Sequence, residues 1–111
     1  MFENLFFSIN VERILFYILV NKKCYASELS RRFDTALNGI QSTLIKLEKG
    51  GILVSLMEGK TRLYQFNPRY PFLSELTDFF NKAYLFIPDN IKQKYYQPII
   101  RKRPRRTTKP L

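Results

Sequence analysis

YASELSRRFDTALNGIQSTLIKLEKGG, residues 25–51, holds two apolar periodicities separated by a three-residue break. In ASELSRRF, 26–33, Leu29 and Phe33 stand four apart and share one face of a helix, with Ser27, Glu28, Arg31 and Arg32 outside or at its edge. Asp34-Thr35-Ala36 is too short for anything but a turn between two helices. Beyond it Leu37, Ile40, Leu44 and Leu47 step by three, four and three, which predicts one apolar stripe on a helix over 37–50. Asn38, Gln41, Ser42, Ile45 and Lys49 fall on the opposite side, and Gly50 and Gly51 supply the stop. Ala36 is a poor N-cap, so Thr35 or Asp34 serves if the helix begins earlier.

Upstream, Ser8 and Asn10 offer cap side chains, and Ile14, Leu15, Ile18 and Leu19 recur at helical spacing, predicting a helix over about 9–22 followed by an extended Cys24-Tyr25. Downstream, ILVSLME (52–58) and TRLYQFN (61–67) are rich in strand formers and flank Gly59-Lys60, which reads as a β-hairpin with a two-residue tip. Pro68 has no amide to donate and ends the second strand. After Pro71 the residues Phe72, Leu73, Leu76, Phe79, Phe80 and Ala83 repeat at helical spacing to about Leu85, and a short helix over 88–96 precedes the tail. The expected organisation is one domain, 1–96, mainly α with a small hairpin, and a basic flexible tail, 97–111.

Charge separates body from tail. Of 19 Lys and Arg against 9 Asp and Glu, six cations lie in RKRPRRTTKP (101–110) with no acid among them, leaving residues 1–100 with 13 basic and 9 acidic side chains, a net of +4. An excess of this kind favours a polyanionic partner, nucleic acid or an anionic membrane surface, over a neutral small molecule. With one cysteine, Cys24, and no histidine, neither an internal disulfide nor a Cys/His metal cluster can form, and no metal or cofactor is expected. A reducing cytosol fits this usage, and Cys24 reads as a small core filler rather than a redox-sensing thiol. ILFYILV, 14–20, is far shorter than the roughly 20 residues of a bilayer span. The N-terminus has no basic region or small-residue cleavage site, so neither anchor nor signal peptide is expected.

Three helices followed by a hairpin, with a tight turn between the second and third, is the order of a winged helix-turn-helix domain. In that geometry the helix over 37–50 enters the major groove and the hairpin, as the wing, reaches the backbone or minor groove. Lys60 and Arg62 lie where phosphate is met, while the amides of Asn38 and Gln41 and the hydroxyl of Ser42 suit base edges. Ser27, Arg31, Lys46 and Lys49 complete the candidate contacts in the body. Each has a plainer reading: a charged hairpin tip protects a strand edge, and neutral polar residues are ordinary on an exposed helix. Ile45 is the odd member, touching a thymine methyl or packing against the hairpin or another subunit; packing is the preferred reading.

YASELSRRFDTALNGIQSTLIKLEKGGILVSLMEGKTRLYQFNPRYPF, 25–72, resembles the winged-helix transcriptional regulators of prokaryotes related to the arsenic-repressor-like superfamily. The likeness lies in a Leu-x-x-Leu-Glu-x-x-Gly step, here Leu44, Leu47, Glu48 and Gly51, and in a hairpin ending Tyr64-Gln65-Phe66-Asn67-Pro68, within a resemblance that spans about 8–85. It implies a double-stranded-DNA-binding regulator, a homodimer, with its recognition helix at 37–50. Metal-sensing relatives need cysteine or histidine ligands that this chain lacks, so a metal effector is not expected.

PFLSELTDFFNKAYLF, 71–86, carries more apolar surface than one side of a small domain buries, which makes Phe72, Leu76, Phe79 and Phe80 the candidate dimer interface. In the tail, Arg101, Arg103, Arg105 and Arg106 are expected to follow phosphates or enter a minor groove, against a solubilising or targeting role. An enzyme is not expected: there is no histidine for general-base work, no glycine-rich phosphate loop and no carboxylate pair beside a nucleophile. Glu28, Glu48, Glu58, Glu75 and Asp78 read as solvated outer charges. The competing function is a protein-interaction module on the same fold, with a tail for RNA or an acidic surface.

Overall fold

In a computed structural model of the chain, residues 2–6 and 8–98 are described. The expected tail contacts Arg101, Arg103, Arg105 and Arg106 lie outside them. The longer helices begin with α2, Ile9–Asn21, where the Ser8 side chain caps the first turn by accepting from Val11 N. It ends at Lys22, whose φ of 77° is left-handed and whose amide returns to Ile18 O at 2.7 Å. Ahead of it stands α1, Glu3–Phe6, a single turn with no periodicity for a sequence to betray. Rings fix it in place: Phe2 lies 5.8 Å from Phe16, and Phe6 lies 5.5 Å from Phe80.

The central elements follow expectation closely. β1 is Lys23–Tyr25, α3 is Ala26–Phe33 and α4 is Leu37–Lys49. Asp34, with φ 52°, closes α3, and the Thr35 hydroxyl donates to Phe33 O. Neither residue therefore caps α4, whose N-cap is Ala36 without a side-chain hydrogen bond. Gly51, at φ 86°, takes the left-handed position beyond the helix.

β2, Leu53–Glu58, and β3, Thr61–Phe66, form the hairpin around Gly59-Lys60, in the register Glu58↔Thr61, Met57↔Arg62 and Ser55↔Tyr64. The extended Cys24-Tyr25 becomes part of a third strand, because β1 pairs antiparallel with β3 through Cys24↔Tyr64 and gives the sheet order β1-β3-β2. The Asn-Pro stop is built by Asn67. Its amide donates to Ile52 O, its Nδ2 donates to Gly51 O at 2.8 Å, and its Oδ1 accepts from Arg69 N. This ties the base of the hairpin to the end of α4. The result among the described residues is a helix-rich fold with a small three-stranded antiparallel sheet.

α5 spans Leu73–Tyr84, and the helix expected over 88–96 divides into a turn of α-helix, α6, Asp89–Ile91, and a π-helical segment, Lys92–Tyr96. The wider turn allows two consecutive tyrosines to reach different inner partners: Tyr95 stacks toward Phe33 and Tyr96 toward Phe16. Ile14, Phe16 and Ile18 of α2 form the centre of the core with Leu29, Ile40, Leu44, Leu53, Phe80 and Tyr96, all essentially closed to solvent. Two expectations need correction here. Phe80 is wholly buried, 5.4 Å from the Phe16 ring, so it belongs to the core of the chain and has no surface to give an interface. Leu37, expected on the inner stripe of α4, is 40% exposed and opens on the recess beside the hairpin, while Ile40 in the same turn is buried.

Candidate functional site

The outer side of α4 presents Asn38, Gln41, Ser42, Ile45, Lys46 and Lys49, all exposed. Gly39, on the partly covered side of the helix, accepts the Thr43 hydroxyl at 2.9 Å, which satisfies a polar side chain facing the interior. Across from α4 the hairpin register places Met57 and Arg62 on the same face as Ser55 and Tyr64. A groove of about 670 Å³ opens between them, and α3 contributes Ser27 to it. Gln41 and Ile45 line it from α4, with Met57, Lys60 and Arg62 on the hairpin side. The structure thus brings Ser27, Gln41, Lys60 and Arg62 together. Arg31 lies in an adjoining recess with Ser27 and Thr61. Asn38, Ser42, Lys46 and Lys49 do not line the groove.

Electrostatics at the hairpin are less simple than a row of solvated charges. Arg62 Nη1 donates to Ser55 Oγ, which in turn donates to Glu48 Oε2 at 2.7 Å. At the other side of the sheet the Tyr25 hydroxyl donates to Glu58, and this bond holds the tyrosine pKa above its ordinary value. Glu48 and Glu58, expected to be merely solvated, therefore position a neighbouring side chain each. Lys60 makes no comparable contact and stands exposed at the hairpin tip.

A second recess, about 730 Å³, lies between α2, α3 and the π-helical segment, lined by Tyr17, Glu28, Arg31, Arg32 and Lys94 among others. Its central guanidinium is already engaged. Arg32 donates to the carbonyls of Lys94, Gln93 and Gln97, so its Nε and Nη2 are committed to tying residues 93–97 to α3.

No family model, no curated protein and no solved structure matches the chain. Among the described residues no cluster of His, Cys, Asp and Glu is able to hold a metal ion, and no helix is long and apolar enough to cross a membrane. Cys24 is buried, and burial, followed by the charge of Glu28, pushes its thiol up to about 12. A thiol so protonated and so covered is a core side chain rather than a reactive one.

Sequence reasoning misses five members of the groove: Ala26, Leu37, Met57, Thr61 and Tyr64. For Met57 the signal is present, because a two-residue tip at Gly59-Lys60 obliges residues 57 and 62 to pair and share a face. For Leu37 none is visible, since its spacing to Ile40 and Leu44 is that of a core residue.

Proposed function

We propose that the chain is a winged helix-turn-helix regulator that binds double-stranded DNA in a sequence-dependent way, with α4 as the recognition helix and the β2–β3 hairpin as the wing. The observation that carries this reading is the shared groove: Gln41 of α4 and the basic tip of the hairpin, Lys60 and Arg62, open on it together, with Ser27 of α3 at its edge. Amides and hydroxyls on a helix suit base edges, and cations on a projecting hairpin suit phosphates. The net charge of +10 adds a long-range attraction to the same polyanion. Such a protein works in the cytosol on chromosomal DNA.

A homodimer belongs to this proposal. Phe72, which precedes α5, and Phe79 within it are 62% and 43% exposed, and Leu76 between them in sequence is partly covered. A twofold pair would cover these rings and present two copies of α4 to a symmetric site.

The competing reading, a protein-interaction module, draws on the apolar Leu37, Ile45 and Met57 in the same groove. Enrichment of duplexes from a random pool, followed by competition between an enriched duplex and its scrambled counterpart, separates the two. Preference for the enriched duplex supports the regulator, and equal weak binding of both supports the module.

A further inference from the structure

Leu37, Gln41 and Ile45 stand at i, i+4 and i+8 on α4, so an amide lies between two aliphatic side chains along one line of the helix. All three line the groove facing the hairpin. Leu37 and Ile45 are 40% and 46% exposed, and Met57 faces them from the hairpin at 54%. Ile45 is therefore not packed away against the hairpin, and the apolar groups remain open beside two cations, Lys60 and Arg62.

That combination selects its partner chemically. Cations on one wall call for an anionic partner, while three open apolar side chains gain only if the partner has apolar points of its own. In the major groove of a duplex the exposed apolar group is the 5-methyl of thymine. An A-form RNA duplex lacks that methyl and has a major groove too narrow for side chains. Gln41, between the aliphatic residues, has the donor and acceptor that match adenine N7 and N6. At about 1.5 Å of rise per residue, Leu37 and Ile45 lie roughly 12 Å apart along the axis. At about 3.4 Å per base that distance spans three to four base steps.

We propose that this groove reads A·T base pairs, with the Gln41 amide on an adenine edge and Leu37 and Ile45 on flanking thymine methyls. The inference rests on the DNA-binding reading above and specifies what that site recognises.

The test uses the full chain and a duplex enriched from a random pool, prepared once with thymine and once with dU, which removes only the methyl. Burying a methyl corresponds to about fourfold in affinity, so the dU duplex should bind about fourfold more weakly for each methyl contacted. Ile45→Ala should lose a similar factor on the thymine duplex and show a smaller further loss on the dU duplex. Its thermal melt should be unchanged, because Ile45 is exposed. Gln41→Ala should relax the preference for adenine at one position. Equal binding of thymine and dU duplexes, with the enriched sequence still preferred over a scrambled one, overturns this inference and leaves the DNA-binding reading standing. No preference for any duplex overturns both.

Discussion

Arg62 Nη1 donates to Ser55 Oγ at 2.9 Å, across the two strands of the hairpin. Since the same hydroxyl donates to Glu48 at the end of α4, the chain Glu48–Ser55–Arg62 links the helix to the hairpin and fixes where the guanidinium stands. A cation held in place loses less side-chain entropy on binding than one that must be ordered. Ser55→Ala should therefore weaken DNA binding several-fold with an unchanged salt slope, because no charge is lost. Arg62→Ala should weaken it and also flatten the log–log salt slope by about 0.9. Anisotropy titrations at several salt concentrations distinguish the two. If Ser55→Ala leaves affinity unchanged, the positioning account is wrong.

The terminal segment offers a separate check on the fold. Arg32 donates to three carbonyls of residues 93–97, and Asn21 Nδ2 donates to Tyr96 O at 2.7 Å. Arg32→Ala removes the first set and should cost about 1–2 kcal/mol in a urea melt. Lysine should rescue poorly, since a single ammonium lacks the planar fork that reaches several acceptors. Hydrogen exchange at the Gln97 amide, now bonded to Lys92 O, should quicken in the variant. Unchanged exchange there would show that Tyr95 and Tyr96 hold the segment without help.

Alkaline pH should destabilise the protein. Burial first, and the Glu28 charge second, raise Cys24 from 9.0 to about 12 and Tyr17 from 10.0 to about 12. Tyr96 is raised further, mainly by burial. Each is a neutral acid whose folded pKa exceeds its unfolded value. From about pH 9 upward the unfolded chain has released protons that the folded chain retains, so stability is full below that pH and falls as the pH rises toward 12. Urea midpoints across this range should decline, and Cys24→Ala should delay the onset toward tyrosine ionisation. A flat profile would mean that these groups are less enclosed than their packing indicates.

Association is checked by sedimentation. The proposed dimer predicts twice the 13.3 kDa chain mass, and replacing both Phe72 and Phe79 by Glu should return the protein to one chain mass with its melt little changed. The rings are 62% and 43% exposed in the single chain, so the core loses only the edge contacts of Phe79 with Phe6 and Phe80. A wild-type protein that sediments at one chain mass at all concentrations would remove the dimer from the account.

The elements that the sequence makes legible are those held by local rules. The hairpin is fixed by two strand-forming runs around Gly59-Lys60, and α4 by its stepped leucines and terminal glycines. Non-local choices are hidden. Phe79 and Phe80 are adjacent, and both phases of the helical repeat through Phe72, Leu76 and Ala83 look apolar. The rings of Phe6 and Phe16 decide that Phe80 turns inward. Likewise β1 exists as a strand because β3 arrives beside it, some forty residues later in the chain. For the candidate site, residue types and faces are visible in advance, whereas the groove itself depends on how α4 sits beside the hairpin, which leaves Leu37 open and Ile40 buried.

The central claim is that α4 and the hairpin together form a DNA-binding surface. Its most direct test is anisotropy of the full chain and of Lys60→Glu with Arg62→Glu, titrated with an enriched and a scrambled duplex. Both positions are exposed, so the double variant should melt nearly as the wild type does. The account predicts that the wild type prefers the enriched duplex and that the variant, its wing charge reversed, loses most of its affinity for both. Undiminished binding by a folded double variant would contradict it.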